Sequence, residues 1–344
     1  MLKICIAKKW ILCYNQGVHY LGRRKKFMSI NYILPQSYSL SDDIKERLLS
    51  SISGIIFIKN EMCPHCFSQN IIKHGKYKGK QRYLCNCCSK TFSDYTNSPI
   101  YNSKKPKELW MDFACCMISR LSLRKSAKLI GIDTATAFFW RHKILEAVKI
   151  SMKVDPIQGV IEADEIFLRL NFKGNHKKDI LPRPAHQTGE KCKMNISKEK
   201  VCIAGAIDNG GSIIMDLMCL GAISHDKLTN FYNGLVAAGS VLCTDCHMSY
   251  VKFAENLELK HKRIIIGDYN IKLYTIKHIK ALQNNMMQWL RNFKGVATKY
   301  LSNYLTFYKL VQNVTSGTTP TCKSLFHKPN IRIFDIKLKP AIPV

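Results

Sequence analysis

The sequence predicts a multidomain α/β protein, and three features of the 344-residue chain lead to this prediction. Two CxxC motifs bracket a short basic segment within residues 63–88. Helical stretches on both sides of a glycine turn follow within residues 107–150. Residues 159–267 then alternate strand-like and helical runs, and an aspartate follows the first and the fourth strand-like run. A chain of this length can bury cores for two or three such domains.

The charge of the chain indicates a polyanionic partner. Lys and Arg number 53 against 24 acids, which gives a net charge of +29. A solvated basic surface is the plainest interpretation, but so large an excess makes nucleic acid the first candidate partner. We expect no membrane association, because the excess is not confined to one amphipathic segment and no apolar run is long enough to span a bilayer.

The cysteines and the N-terminus favour a reducing, cytoplasmic location. The 15 cysteines occur in a chain much longer than a secreted disulfide scaffold, and several of them lie inside apolar runs. Lys8 and Lys9 interrupt the apolar N-terminal stretch, which argues against a signal peptide. Residues 1–38 match no clear pattern and are expected to form a basic extension, in which Met28 is an alternative start.

Residues 39–100 are predicted to hold a short helix and a zinc ribbon. The helix is indicated by SLSDDIKERLLSSIS, which has a serine cap and acids in its first turn. In the ribbon, each CxxC turn directs two thiolates to one point, and two such turns complete a tetrahedral site for structural Zn²⁺. The metal would replace a core too small to fold alone. The four predicted ligands are Cys63, Cys66, Cys85 and Cys88.

Residues 101–155 are predicted to form a helix-turn-helix. KELWMDFACCMIS and SLRKSAKLI show helical periodicity, the turn Gly131-Ile132-Asp133 follows, and Asp133 can cap the next helix. That helix bears Arg141, His142 and Lys143, as expected of a DNA-contacting recognition helix. A helical hairpin with a solvated basic face is the alternative from spacing alone.

Residues 156–311 are predicted to form an RNase H-like domain with a mixed sheet and flanking helices. The order is three strands, a helix, a strand, a helix, a strand and a long helical region. Asp164 follows the first strand's apolar run and Asp245 ends the fourth strand. Acids at the ends of neighbouring strands can hold divalent metals between them. Glu165 would point to the opposite face of its strand and is interpreted as structural. Residues 312–344 are expected to form an irregular tail.

Several phrases then resemble bacterial insertion-sequence transposases of the ISXO-type family between about residues 39 and 308. They are CPHC with QRYLCNCC, LSLRKSAKLIGI, TAFFWRHKIL, EADEIF, SKEKVCIAGAID, VLCTDCHMSYVKFA and FKGVATKYLSNYL. The resemblance implies a zinc ribbon, a helix-turn-helix and a DDE-type catalytic domain. It also implies an enzyme that binds terminal inverted repeats of double-stranded DNA, cleaves a strand and joins the 3′-hydroxyl to target DNA. A homo-oligomer in the bacterial cytoplasm, associated with the nucleoid, is expected from the family.

The resemblance also assigns site residues. Asp164 and Asp245 would be ligands of Mg²⁺ or Mn²⁺, and the third ligand would come from the helix after the last strand, IKHIKALQNNMMQWL. Its inward polar position is Gln283, where relatives have an acid or a histidine, and the asparagines usual upstream are replaced by His278 and Lys280. The predicted nucleic-acid contacts are Arg124, Lys125, Arg141, His142, Lys143, Lys294 and Lys299.

The departure at Gln283 leaves two interpretations of activity open. A glutamine oxygen can bind a hard cation but brings no charge. The chain is either an active transposase or a decayed copy that binds DNA and cuts poorly. A zinc-ribbon transcription factor is a third class, but it does not explain Asp164 and Asp245 in their strand contexts. Should Gln283 be remote from the two aspartates, Asp268 is the nearest acid in sequence.

Overall fold

The computed structural model describes residues 40–57, 60–152, 156–173, 200–265 and 274–316. Contacts divide the chain into two compact units, with the boundary after Ala147. The predicted N-terminal extension, most of the basic loop after Lys173, Asp268 and nearly all of the predicted tail lie outside the described residues.

The first unit begins with helix α1 (Asp42–Ile56), whose first turn is capped by the Ser41 hydroxyl as predicted. A three-stranded antiparallel sheet follows in the order β1-β2-β3. Its strands are β1 (Ile71–Tyr77), β2 (Lys80–Cys85) and β3 (Thr91–Ser93). The buried core of this sheet consists of Cys63, Cys85 and Phe92. So small a core gives little burial energy and needs a further crosslink.

Three helices complete the first unit: α2 (Lys107–Ile118), α3 (Leu123–Ile130) and α4 (Thr134–Ser151), the last of which crosses the boundary. Helix α3 ends at Gly131, whose φ of +72° suits a residue without Cβ. The Asp133 carboxylate accepts a hydrogen bond from the Ala135 backbone N–H at 2.7 Å, which is the predicted cap of α4. The Trp110 and Trp140 rings stack with centroids 4.0 Å apart and join α2 to α4.

The second unit contains a five-stranded mixed sheet in the order β6-β5-β4-β7-β8. Its strands are β4 (Val160–Arg169), β5 (Lys200–Asp208), β6 (Ile213–Leu220), β7 (Val241–Thr244) and β8 (Lys260–Arg263). Strands β4, β5 and β6 pair antiparallel, whereas β4, β7 and β8 run parallel. This element order and topology confirm the predicted RNase H-like domain.

Helices cover both faces of the mixed sheet. On one face, α5 (His225–Tyr232) and α6 (Ser249–Asn256) bury Leu228, Tyr232 and Phe253 against the sheet. On the other, α7 (Lys277–Arg291) crosses β4 and β5. A Cβ on Gly205 of β5 would lie 3.1 Å from the Ile279 Cδ1 atom, so the glycine permits the close approach of α7.

The last helix, α8 (Thr298–Thr315), packs against α7 and β6. The Tyr308 hydroxyl donates a hydrogen bond to the Leu282 carbonyl at 3.1 Å, which ties α8 to α7. The helix extends beyond the predicted limit at residue 311, because Val314 continues its buried stripe. Strand β8 begins and ends earlier than the predicted KRIIIG. The prediction missed its position because β8 is an exposed edge strand and lacks the apolar alternation that marks a strand in the sequence.

Candidate active site and metal centre

Four thiols of the first unit form a cluster that could hold a metal. Their sulfur atoms all lie within 4.8 Å of one another. The Cys63 and Cys88 sulfurs are 3.6 Å apart, and the Cys66 and Cys85 sulfurs are 3.5 Å apart. Tetrahedral Zn²⁺ with Zn–S bonds of about 2.3 Å would place its sulfurs about 3.8 Å apart. The spacing therefore fits a tetrahedral thiolate site, as the sequence predicted.

The strand register brings Asp164 and Asp245 to corresponding positions on neighbouring strands. The parallel pairing of β4 with β7 includes Glu162 opposite Cys243, and the two aspartates each lie two residues further along. Asp164 lies within β4 instead of at its end, because β4 continues to Arg169 in its antiparallel pairing with β5. Burial raises the pKa of the Asp164 carboxyl, and the nearby Asp245 carboxylate adds to the increase. The sheet thus places two interacting carboxyl groups side by side.

Glu165 points to the opposite face of β4, as expected from strand alternation. The Tyr250 hydroxyl of α6 donates a hydrogen bond to its carboxyl group. Burial raises the pKa of Glu165 to about 8, which the Tyr250 hydrogen bond partly opposes. The side chain therefore belongs to the core between the sheet and α6.

Glu162, which no sequence motif singled out, fixes the start of α7 over β4. This carboxylate is 6% exposed. Its Oε2 atom accepts hydrogen bonds from the backbone N–H groups of His278 and Ile279 at 2.9 and 3.0 Å, and Oε1 lies 2.6 Å from His278 Nδ1. Glu162 thus caps a helix that has no side-chain cap of its own. The signal was available, because Glu162 precedes Asp164 by two residues and so shares its face.

Helix α7 presents Lys280 and Gln283 on or near its sheet-facing side. The Lys280 ammonium lowers the pKa of Asp164, against the effect of burial. Gln283 is 6% exposed, as expected of an inward position, and within the described residues its Nε2 atom has no hydrogen-bond partner. Helix α7 contains no acid. The donor set suits one hard divalent cation at the two aspartates, since carboxylate oxygens are its preferred ligands, while Lys280 adds a competing positive charge.

The residues predicted to contact nucleic acid divide into exposed and buried ones. Arg124, Lys125 and Lys294 are exposed, and Lys143 and Lys299 are half-buried. The prediction is corrected for Arg141 and His142, which are 4% and 2% exposed. The Arg141 guanidinium donates a hydrogen bond to the Leu121 carbonyl at 2.8 Å, so it holds the turn before α3.

The physical reason for this correction is the orientation of α4. Trp140, Ile144 and Leu145 are also buried, so the middle of α4 faces the protein interior on most sides. The two side chains are therefore interior groups and do not present their charge to a phosphate. Burial also lowers the pKa of the Lys143 ammonium.

The strand order and the flanking helices define an RNase H-like domain. Residues 156–308 match the family of ISXO2-like transposase domains. The chain is also 21% identical over 277 residues to an uncharacterized protein in the transposable element ISH50 of Halobacterium salinarum, covering 79% of this chain and 92% of that protein. These two matches support an insertion-sequence transposase, which confirms the resemblance drawn from the sequence motifs.

Solved structures that are similar to this chain include an intasome and a transpososome. A simian T-cell lymphotropic virus intasome in complex with a PP2A regulatory subunit matches at 13% identity and a TM-score of 0.30, covering 68% of this chain and 77% of that chain. A pre-cleavage Mos1 transpososome matches at 11% identity and a TM-score of 0.20, covering 65% and 82%. The strand order β6-β5-β4-β7-β8, and not these low-scoring similarities, defines the fold of this domain. No helix among the described residues is long and apolar enough to cross a membrane.

Proposed function

We propose that the protein moves an insertion sequence by binding its terminal inverted repeats, cleaving a DNA strand at each end and joining the freed 3′-hydroxyl to target DNA. The observation that carries this proposal is the pair Asp164, within β4, and Asp245, directly after β7, at positions that continue the parallel register of the two strands. The match of residues 156–308 to a transposase domain supports it. Because two ends are joined, we propose that the protein acts as a homo-oligomer.

In this proposal Asp164 and Asp245 hold Mg²⁺ or Mn²⁺. Such an ion supplies an activated water or hydroxyl and stabilises charge on the reacting phosphate. The two carboxylates alone would repel the scissile phosphodiester, so their role in this proposal is to hold the ion at this edge of the sheet. Glu162 holds the first turn of α7 against β4 and so sets where Lys280 lies relative to Asp164. Gln283 offers a neutral third donor from the same helix.

The first unit supplies DNA binding in this proposal. The four cysteines hold a structural Zn²⁺ that stabilises the ribbon, consistent with the sulfur spacing. Arg124 and Lys125 at the start of α3 are exposed, so their positive side chains are accessible to DNA phosphates, which we propose they contact. Lys294 and Lys299 of the second unit contact phosphates near the aspartates. The helix-turn-helix occupies 101–155 and the catalytic domain 156–311.

A second candidate function is DNA binding with little cleavage, as expected of a decayed copy. The observations that favour it are the Lys280 ammonium, which acts on Asp164, and the lack of an acid in α7. An ammonium and a divalent cation compete for the same carboxylate, so this arrangement weakens the metal site.

One experiment separates these candidates. Nicking of a DNA end and binding of Mn²⁺ are measured for wild type, Asp164→Asn and Asp245→Asn. The exposed Asp226→Asn on α5 is the matched control. If the protein is an active transposase, Asp164→Asn and Asp245→Asn should each nick at least about 100-fold more slowly than wild type, and the control should not. Removing a residue that only supports a metal ligand already costs about 10- to 100-fold, and removing the ligand itself costs more. If wild type binds DNA but nicks it no faster than Asp164→Asn does, the protein is the binding-only form.

A further inference from the structure

The hairpin formed by β1 and β2 extends into solvent beyond the thiol cluster. Every residue from 72 to 80 is exposed, including Ile72 at 48% and Tyr77 at 61%. Only its base, with Ile71 and Tyr83, packs against the small core. An isolated two-stranded hairpin gains little stability in water, so folding alone does not explain the exposed length.

The charge of this hairpin has one sign. The sequence contains no acid between Glu61 and Asp94. No described residue forms an ion pair with the hairpin. Its cations are Lys73, Lys76, Lys78, Lys80 and Arg82. Lysines on an edge strand also prevent aggregation, but that role does not account for an exposed tyrosine beside the turn.

The backbone of the hairpin gives its outer part a defined shape. His74 and Gly75 together oppose Arg82, which is a β-bulge, and Gly75 has a φ of +64°. The Gln81 side-chain amide closes the bulge by donating a hydrogen bond to the Gly75 carbonyl at 2.9 Å. Tyr77 pairs with Lys80 across a two-residue turn in which both φ angles are positive, as in the tight turns that match strand twist. The outer hairpin is therefore a short, twisted, two-stranded ribbon.

We infer that this hairpin is a DNA-binding arm whose tip, residues 75–82, enters the major groove of duplex DNA. The inference deepens the proposed function, on which its choice of partner rests. The major groove is about 12 Å wide and admits a two-stranded ribbon. In this position Lys76, Lys78 and Lys80 meet phosphates along the groove, and the Tyr77 ring contacts base edges. This gives the exposed tyrosine a role that solvation does not.

The test measures the affinity of the full-length protein for a duplex as a function of salt. Each phosphate contact contributes about 0.9 to the slope of log affinity against log salt. The triple variant Lys76→Gln, Lys78→Gln, Lys80→Gln is expected to reduce the magnitude of that slope by about 2 to 3. Tyr77→Ala is expected to lower the affinity about 10-fold with an unchanged slope, because an uncharged ring releases no counterions.

The matched control neutralises three exposed lysines of the same unit, Lys90, Lys104 and Lys105. Zinc content confirms that each variant keeps its ribbon. The inference is overturned if both triple variants change the salt slope equally. It is also overturned if the triple variant of the hairpin lysines leaves the slope unchanged. The inference is also overturned if the protein binds single-stranded DNA or RNA more tightly than duplex DNA and the triple variant of the hairpin lysines loses that binding. The nicking assay tests the proposed function separately from this inference. If the protein binds duplex DNA through the hairpin but does not nick it, the inference is supported and the proposed catalysis is rejected.

Discussion

Replacing Glu162 by alanine should detach the first turn of α7 from the sheet. The carboxylate is almost completely buried and accepts from two backbone N–H groups and the His278 ring. Loss of a helix cap costs about 0.5 to 2 kcal/mol, and a hydrogen bond to a charged group contributes about 1.5 to 3 kcal/mol. Since the first turn can partly rehydrate, we expect the free energy of unfolding to fall by about 2 to 4 kcal/mol in total.

The glutamine variant separates the cap from the charge. In Glu162→Gln the side-chain oxygen can still accept from the two backbone N–H groups, so we expect a loss of about 1 kcal/mol. The exposed Glu255→Ala of α6 is the control, with an expected change within about 0.5 kcal/mol. Denaturant unfolding gives the free energies, and hydrogen exchange at the amides of His278 and Ile279 reports the first turn directly. Unchanged exchange at both amides in Glu162→Ala would refute the capping role.

Three further predictions concern the metal sites and one half-buried acid, Asp112. Protein carrying Cys63→Ser and Cys85→Ser should contain no stoichiometric zinc by metal analysis, because two of four thiolates are lost, and retained zinc would place the site elsewhere. Lys280→Glu should tighten Mn²⁺ binding in titration calorimetry by at least about 10-fold, since a carboxylate replaces a competing cation; equal affinities would show that Lys280 does not act on the site. Burial, with a contribution from nearby Glu108, raises the pKa of Asp112 to about 6. Protonated Asp112 therefore makes its whole contribution to the free energy of unfolding below about pH 4. As the pH rises from about 4 to about 6, this free energy falls by at most about 1.4 kcal/mol per pH unit. Asp112→Asn should remove this dependence and be more stable than wild type at neutral pH, and parallel pH profiles of unfolding would contradict the assignment.

The thiol cluster and the two aspartates could be predicted from the sequence because their signals are local. Each CxxC turn defines two ligands within four residues, and the sulfur spacing matches a tetrahedral site. Asp164 and Asp245 each follow an apolar run in the sequence, and the order of elements makes the strands that carry these runs neighbours. The resemblance to insertion-sequence transposases added the function, which periodicity alone does not supply. In these cases chain connectivity and the two-residue period of strands carry the information.

The tertiary structure decided the contacts whose partners are distant in sequence or whose helix has no clear polar face. Glu162 and the start of α7 are 116 residues apart, so no local pattern joins them, although the shared face with Asp164 indicated where Glu162 points. Arg141 and His142 follow one another on a helix that reads as a basic recognition helix. Their burial depends on how α4 packs with its neighbours, which fixes the interior side of a helix that is apolar around much of its circumference. The sequence determined which residue types were available, and packing determined which of them reach solvent.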